Sequence, residues 1–119
     1  MKLELQNKLF EKYPNIFKNK DLPMNQTCMC WGIECGDGWY DLIDGLCSQL
    51  SPTVIADQVK EKYGGLRFYI CSGTEADYEL IDNTEEKSYH ICEQCGSTDN
   101  VSQTKGWIST LCANCKEKK

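Results

Sequence analysis

Two Cys-x-x-Cys pairs constrain the fold of this chain more than any other feature of its sequence. The first pair is Cys92 and Cys95, the second is Cys112 and Cys115, and sixteen residues lie between the pairs. Pairs at this separation are typical of zinc sites, because each tight turn holds two thiolates on one side. Four thiolates close a tetrahedral shell with no open coordination position, as structural sites do. We therefore predict that each chain binds one structural Zn²⁺ ion.

The residues between and after the pairs predict the shape of the lobe that holds this ion. Residues 101–103 and 107–110 have strand-like sequences separated by turn-like residues, which predicts a hairpin. Residues 111–119 are expected to form a short helix with lysines near its end, where cations suit the helix dipole. A knuckle, a hairpin and a helix that carries the second pair resemble a treble-clef zinc finger. The alternative is a zinc ribbon, in which another hairpin carries the second pair.

Composition narrows the class of protein. The chain has 119 residues, nine cysteines and a formal net charge of −5. Nine cysteines without an export signal favour zinc thiolates and reduced core thiols over disulfides, so we expect a cytoplasmic protein. The acidic balance argues against general binding of nucleic acid, which depends on lysine and arginine. No stretch approaches the roughly 20 apolar residues of a membrane span.

Three segments before the lobe have the apolar periodicity of helices. They cover residues 2–13, 39–50 and 75–87. Pro14 is expected to end the first helix, because the residue before a proline avoids the helical region. Asp37 and Thr74 are placed to cap the second and third helices.

Residues 66–71 alternate between apolar and polar side chains as a strand does. For residues 51–63 we favour a short helix ended by two glycines, and the alternative is a hairpin with strands at 54–60 and 66–71. The predicted fold is therefore α+β. It has a mixed helical and strand domain over residues 1–88 and a zinc-binding lobe over residues 89–119.

A cluster of basic and aromatic residues predicts where this acidic protein binds a ligand. Arg67 is the only arginine and lies opposite the apolar face of its strand. Its planar guanidinium matches a carboxylate or a phosphate, and nearby tryptophans offer faces for stacking on a base. The predicted ligand-binding residues are Trp31, Glu34, Asp37, Trp39, Lys60, Lys62, Arg67 and Tyr69. In the competing interpretation, Arg67 pairs with Glu34, Asp37 or Asp41 and fixes the glycine-rich segment.

The other cysteines and the single histidine are expected to have structural or surface roles. Cys28, Cys30 and Cys35 fit no usual metal-binding spacing, so we interpret them as buried thiols. A second metal site, completed by Cys47 or Cys71, is the alternative. Cys47 lies on the apolar face of its predicted helix and is expected to be a core thiol. His90 is interpreted as a surface residue, because four cysteines already complete the zinc shell.

Three motifs together resemble a family of small bacteriophage and prophage proteins. They are the WGIECGDGW segment at residues 31–39, the VKEKYGGLRFY segment at residues 59–69 and the four-cysteine lobe. The resemblance covers residues 28–115 and implies a phage source, with the host bacterial cytoplasm as the location. Small early phage proteins often counter host defence by binding, so the resemblance also implies a binding role.

Three functions follow as hypotheses. The first is a non-enzymatic binding protein that sequesters a nucleotide-like signal or blocks a host defence protein, with association into a homo-oligomer left open. The second is a nucleic-acid-binding regulator that uses lysines of the lobe, namely Lys105, Lys116, Lys118 and Lys119. The scarcity of arginine for contacts to base edges makes nucleic acid the weaker partner. The third is a hydrolase in which Glu34, Asp37 and Asp41 hold a divalent ion that acts on a nucleotide.

Overall fold

The computed structural model describes residues 1–23, 29 and 32–117, and it has the α+β architecture that the sequence predicts. The helices are α1 (Leu3–Lys12), α2 (Tyr40–Gln49), α3 (Glu75–Ser88) and α4 (Ala113–Glu117). The strands are β1 (Ile33–Glu34), β2 (Ile55–Lys62), β3 (Gly65–Cys71), β4 (Val101–Gln103) and β5 (Thr110–Cys112). Strands β1, β2 and β3 form the main sheet, and β4 and β5 form a hairpin in the lobe, which we define as residues 89–117.

The first three helices form where the apolar periodicity predicts them. The phenolic hydroxyl of Tyr13, beyond the end of α1, donates to Asp44 on α2 at 2.7 Å. Lys12 pairs with the same carboxylate, also at 2.7 Å. Helix α3 begins with a capping box, in which Thr74 and Asp77 each bond the backbone N–H of the other. The prediction that Thr74 caps this helix is therefore confirmed.

The preferred prediction of a helix over residues 51–63 is wrong, and the alternative hairpin is correct. Strand β2 pairs antiparallel with β3, and Tyr63 and Gly64 form the turn with φ angles of 53° and 83°. A register shift between Ala56 and Gln58 interrupts the alternation of β2. Because this bulge breaks the period of two, the strand signal in the sequence is weaker than the helix-forming composition around it.

The hydrophobic core lies between the inner face of the main sheet and the helices. Val59 and Phe68 are paired across β2 and β3, and both point inward. Phe17 is completely buried against Phe68, with ring centroids 6.3 Å apart. The apolar face predicted for α2 is confirmed, since the following residues are all buried: Trp39, Ile43, Leu46, Cys47 and Leu50. In the residues that the structure describes, no helix combines the length and apolar character that crossing a membrane requires.

The lobe has its own small buried cluster. Leu111 is its main aliphatic residue and is surrounded by Cys92, Cys112 and Cys115, with Val101 at the edge. The order of knuckle, hairpin and helix matches the prediction. The second strand begins at Thr110 and not at residue 107, because residues 104–109 close as a loop between β4 and β5.

Candidate metal centre and binding face

The four cysteines of the two pairs converge in the lobe. Their Sγ atoms all lie within 4.8 Å of one another. Cys92 precedes the first tight turn, Cys112 ends β5, and Cys115 lies on α4. Cys92, Cys112 and Cys115 are buried, whereas Cys95 is exposed. Among the described residues, these cysteines are the one group of three or more side chains that are placed to hold a metal ion together.

The backbone of the first turn favours thiolate at Cys92. The Cys92 N–H donates to the carbonyl oxygen of Ser97 at 2.8 Å, and the Gly96 N–H donates to that of Cys92 at 2.9 Å. Burial of Cys92 raises the pKa of its thiol, but backbone N–H groups of Cys112, Cys95 and Gln94 point at its sulfur and lower that pKa to about 6. A thiolate is the form of cysteine that binds a metal ion.

The donor set fits a tetrahedral metal ion bound by four sulfurs. A Zn–S bond of roughly 2.3 Å implies neighbouring sulfurs roughly 3.8 Å apart. The Sγ atoms of Cys95 and Cys112 are 3.6 Å apart. The hydrogen bond from Cys112, burial and the neighbouring sulfurs of Cys92 and Cys95 raise the pKa of Cys115 to about 12. Four thiolates therefore need a cation between them.

The glycine-rich segment 36–39 forms the surface on which the first knuckle rests. The Gly38 N–H donates to the carbonyl oxygen of Glu93 at 2.7 Å, and the Gly36 N–H donates to the Glu93 carboxylate at 2.8 Å. A Cβ atom on Gly38 would lie 2.2 Å from the carbonyl oxygen of Cys92. The absence of a side chain at Gly36 and Gly38 therefore allows the knuckle backbone to approach this segment closely.

Two residues that were predicted to bind a ligand belong to this knuckle-binding segment. Trp39 is completely buried, and its Nε1–H donates to the carbonyl oxygen of Ile91 at 2.9 Å. Its indole therefore has no open face on which a base can stack, which corrects the ligand prediction for Trp39. Asp37 does not cap helix α2 with its side chain, because the N-cap position of that helix is Trp39. It accepts a hydrogen bond from the backbone N–H of Lys2 at 2.7 Å.

Five of the eight predicted ligand-binding residues share the outer face of the main sheet. Glu34, Lys60 and Arg67 form one row across β1, β2 and β3, since Glu34 pairs with Lys60 and Lys60 pairs with Arg67. Lys62 and Tyr69 lie two residues further along their strands and point to the same side. Glu34, Lys62 and Tyr69 are exposed, and Lys60 and Arg67 are half-buried. Trp31 lies outside the described residues.

Arg67 pairs with a residue of α3 that the sequence had not suggested. Its Nη1 lies 3.2 Å from a carboxylate oxygen of Glu85, and this replaces the predicted partners Glu34, Asp37 and Asp41. The Nε–H of Arg67 is buried and has no hydrogen-bond partner. The guanidinium therefore retains donor capacity after its ion pair is formed.

The remaining cysteines within the described residues do not form a second cluster of metal ligands. Burial is the largest influence on Cys35 and raises the pKa of its thiol to about 12. Burial also raises the pKa of Cys47, which confirms it as a core thiol. Cys28 and Cys30, which the alternative second metal site would need, lie outside the described residues. His90 is exposed.

The acidic residues of the hydrolase hypothesis are not brought together. Within the described part of the chain, Glu34, Asp37 and Asp41 are not grouped as metal ligands. The lobe lysines of the regulator hypothesis are described only in part, because Lys118 and Lys119 lie outside the described residues.

Sequence reasoning missed a cleft between the hairpin turn of the main sheet and the loop of the lobe. Tyr63 and Trp107 lie on its two walls and are 66% and 85% exposed. The signal available in the sequence was the position of each aromatic residue beside a turn glycine, in Tyr63-Gly64 and Gly106-Trp107.

Comparisons with protein-family models, with curated proteins and with solved structures find no match for this chain. The case for a function therefore rests on the chemistry of the residues and on their arrangement.

Proposed function

We propose that the protein is a non-enzymatic, phage-type binding protein that is stabilised by a structural Zn²⁺ ion and counters host defence by sequestering an anionic nucleotide-like signal. Cys92, Cys95, Cys112 and Cys115 would hold the ion. The convergence of their four sulfurs supports this assignment. A closed four-sulfur shell leaves no position for a substrate, so the ion would maintain the fold and would not perform chemistry.

The outer face of the main sheet is the surface that supports the ligand assignment best. It places three cations, Lys60, Lys62 and Arg67, on one side of an acidic protein. Arg67 carries the proposal, because its half-buried guanidinium lies in the same row as Lys60 and is oriented by its ion pair with Glu85. A phosphate that accepts from this guanidinium would form a charge-assisted hydrogen bond.

The same face also fits a second type of partner, a host defence protein with an acidic segment. Exposed Tyr69 lies beside Arg67 on β3, and tyrosine and arginine are enriched at the centres of protein interfaces. In this case the protein would block the defence protein and would not sequester a nucleotide. The same residues would make the contacts.

Native mass spectrometry of protein purified from a bacterial host without chelator tests the zinc and nucleotide assignments together. We expect one zinc ion per chain and a retained small molecule with the mass of a nucleotide, and the same spectrum gives the oligomeric state. Lys60→Gln combined with Arg67→Gln should remove the small molecule and leave the zinc. As the control, Lys8→Gln changes charge at an exposed position of α1 and should retain both.

The outcomes distinguish a nucleotide-like molecule from a host defence protein as the partner. A chain that carries zinc and no small molecule would contradict sequestration. Capture of a host protein by the wild type and not by the double variant would then support blockade. A chain that carries no zinc would contradict the metal assignment itself.

A further inference from the structure

A cleft of about 330 Å³ separates the hairpin turn of the main sheet from the loop of the lobe. Residues Glu61, Lys62 and Tyr63 line one wall, and Gly106, Trp107 and Ile108 line the other. Trp107 has 85% of its surface exposed and Tyr63 has 66%. Large aromatic side chains this exposed are unfavourable in water, and tryptophan and tyrosine are the residues that most often anchor a binding partner.

The wall that carries Trp107 is held in one conformation by hydrogen bonds. Thr104 donates through its hydroxyl to the carbonyl oxygen of Trp107 at 2.7 Å. The same hydroxyl accepts from the Ser109 N–H at 2.9 Å, and the Thr104 N–H donates to the Ser109 carbonyl oxygen at 2.9 Å. Trp107 is therefore presented on a closed loop, which reduces the entropy lost when a ligand binds.

The wall that carries Tyr63 is fixed as well. Gly64 donates its N–H to the Glu61 carboxylate at 2.7 Å, and its carbonyl oxygen accepts from the hydroxyl of Thr110 in the lobe. Tyr63 itself has a φ angle of 53°, in the region that favours glycine and asparagine. A two-residue hairpin turn requires positive φ at both central residues, so this backbone position presents the Tyr63 side chain outward at the tip of the turn.

We propose that this cleft binds the base of a nucleotide, stacked on Trp107 and Tyr63, with Lys62 facing the phosphate. This inference rests on the proposed function. It adds a site for the base, which is the part of the ligand that the outer face of the main sheet does not contact. Lys62 belongs to both surfaces, since it lines the cleft and points to the outer side of β2. Its Nζ lies over one face of the Tyr63 ring, 5.6 Å from the centroid, so the base would stack on the other face.

The size and chemistry of the cleft favour one nucleotide. Its volume is at the lower end of the range of small-molecule pockets, which is roughly 300–1,000 Å³. Every base has a flat π face, so two aromatic side chains bind a base with little selectivity for its identity. Lys62, and Lys105 next to the loop glycine, supply positive charge for the phosphate. The nucleotide is either free or the terminal residue of a single strand.

Calorimetric titration with AMP, GMP, CMP and UMP, each alone, and with a decathymidylate single strand tests the proposal. We expect saturable binding of monophosphates to the wild-type protein and about tenfold weaker binding to Trp107→Ala and to Tyr63→Asn. Trp107→Phe should retain affinity, since phenylalanine keeps an aromatic face. Tyr78→Ala is the matched control, because Tyr78 is 48% exposed on α3 and does not line the cleft. Tighter binding of the single strand than of every monophosphate would identify a strand end as the source.

Unfolding of the variants is not expected to cause the loss of binding that this test measures. Asparagine suits the φ angle of Tyr63, and Trp107 makes few packing contacts, so both variants should unfold at the wild-type temperature or above it. Monophosphate binding that is unchanged in both cleft variants but lost when Lys60 and Arg67 are replaced would overturn the cleft and leave the proposed function intact. A wild-type protein that binds none of the probes would overturn the cleft proposal, while native mass spectrometry would still judge sequestration separately.

Discussion

The amide nitrogen of Gly38 donates to the carbonyl oxygen of Glu93 over 2.7 Å, which places the start of α2 against the first cysteine turn. The contact joins backbone to backbone, and it is one of three hydrogen bonds between the segment 36–39 and residues 91–93. The lobe is therefore bonded to the same segment that enters the hydrophobic core through Trp39. A substitution at this contact should therefore disturb both the first cysteine turn and the packing of Trp39.

Gly38→Ala is expected to destabilise the protein by about 1–3 kcal/mol, because overpacking displaces well-packed neighbours. The added Cβ would lie 2.2 Å from the carbonyl oxygen of Cys92 and 2.5 Å from the amide nitrogen of Gly96. Both groups are backbone, so neither can rotate away. Urea unfolding followed by circular dichroism measures the change.

Gly45→Ala is the matched control for Gly38→Ala. Gly45 is an exposed glycine inside α2, and a Cβ there would meet nothing within 4 Å. Alanine is the better helix former, so this substitution should stabilise the protein by about 1 kcal/mol. If both variants lost stability equally, the close packing of Gly38 against the knuckle would not be the cause.

Removal of the metal ion is expected to unfold the lobe and to leave the main sheet folded. Leu111 is the one aliphatic residue fully buried in the lobe cluster within the described residues, too little to hold the lobe without the ion. A strong chelator should therefore release one zinc ion per chain. Hydrogen exchange should then lose protection at the amides of Cys92, Glu93 and Gly96, and retain it in the pairing of β2 with β3.

The matched variants for metal binding are Cys112→Ser and Cys71→Ser. Cys112 belongs to the four-sulfur cluster, whereas Cys71 ends β3 and does not. We expect Cys112→Ser to lose the ion and Cys71→Ser to keep it, as a metal-release dye assay will show. Persistent protection of the lobe amides without zinc would contradict a structural role for the ion.

The sequence predicted the parts of the fold that local patterns determine. The cysteine spacing predicted which four sulfurs meet, and the apolar face of α2 predicted the burial of Cys47. The pairing partner of Arg67 was not predictable in this way. Glu85 is eighteen positions away in the sequence, and only the packing of α3 beside β3 brings the two together.

The helix predicted in place of β2 shows that a local pattern can also mislead. Its composition favours a helix, and the bulge at residue 57 hides the strand pattern, but pairing with β3 overrides local propensity. The cleft at Trp107 was missed for a related reason, since its two walls come from turns more than forty residues apart in the chain.

Phe17→Ala should cost about 3–5 kcal/mol of stability, because it leaves a cavity in the core. Phe17 is completely buried and its ring lies 5.2 Å from that of Phe10 and 6.3 Å from that of Phe68. Leu3→Ala is the comparison, since Leu3 is 69% exposed on α1 and its loss should change the urea midpoint little. Equal effects at the two positions would contradict the placement of Phe17 at the centre of the core.

Asp77 should make stability depend on pH in the acidic range. Backbone N–H groups of Thr74 and Ser51 donate to its carboxylate, at 2.9 Å each, and lower its pKa from the usual 3.8 to about 2. A carboxylate whose pKa is depressed by folding stabilises the protein fully above the unfolded-state pKa. The contribution is therefore present above about pH 4 and is lost as the pH falls from about 4 to about 2.

Asp77→Asn isolates this contribution. The asparagine has one acceptor oxygen and no charge, so it cannot serve both Ser51 and Thr74 as the two carboxylate oxygens do. The variant should be less stable than the wild type at pH 7, and the difference in urea midpoint should narrow below about pH 4. The metal site is common to both proteins, so its own loss in acid cancels from this difference. A difference that stayed constant from pH 7 to pH 2 would mean that the carboxylate charge contributes nothing to the capping of α3.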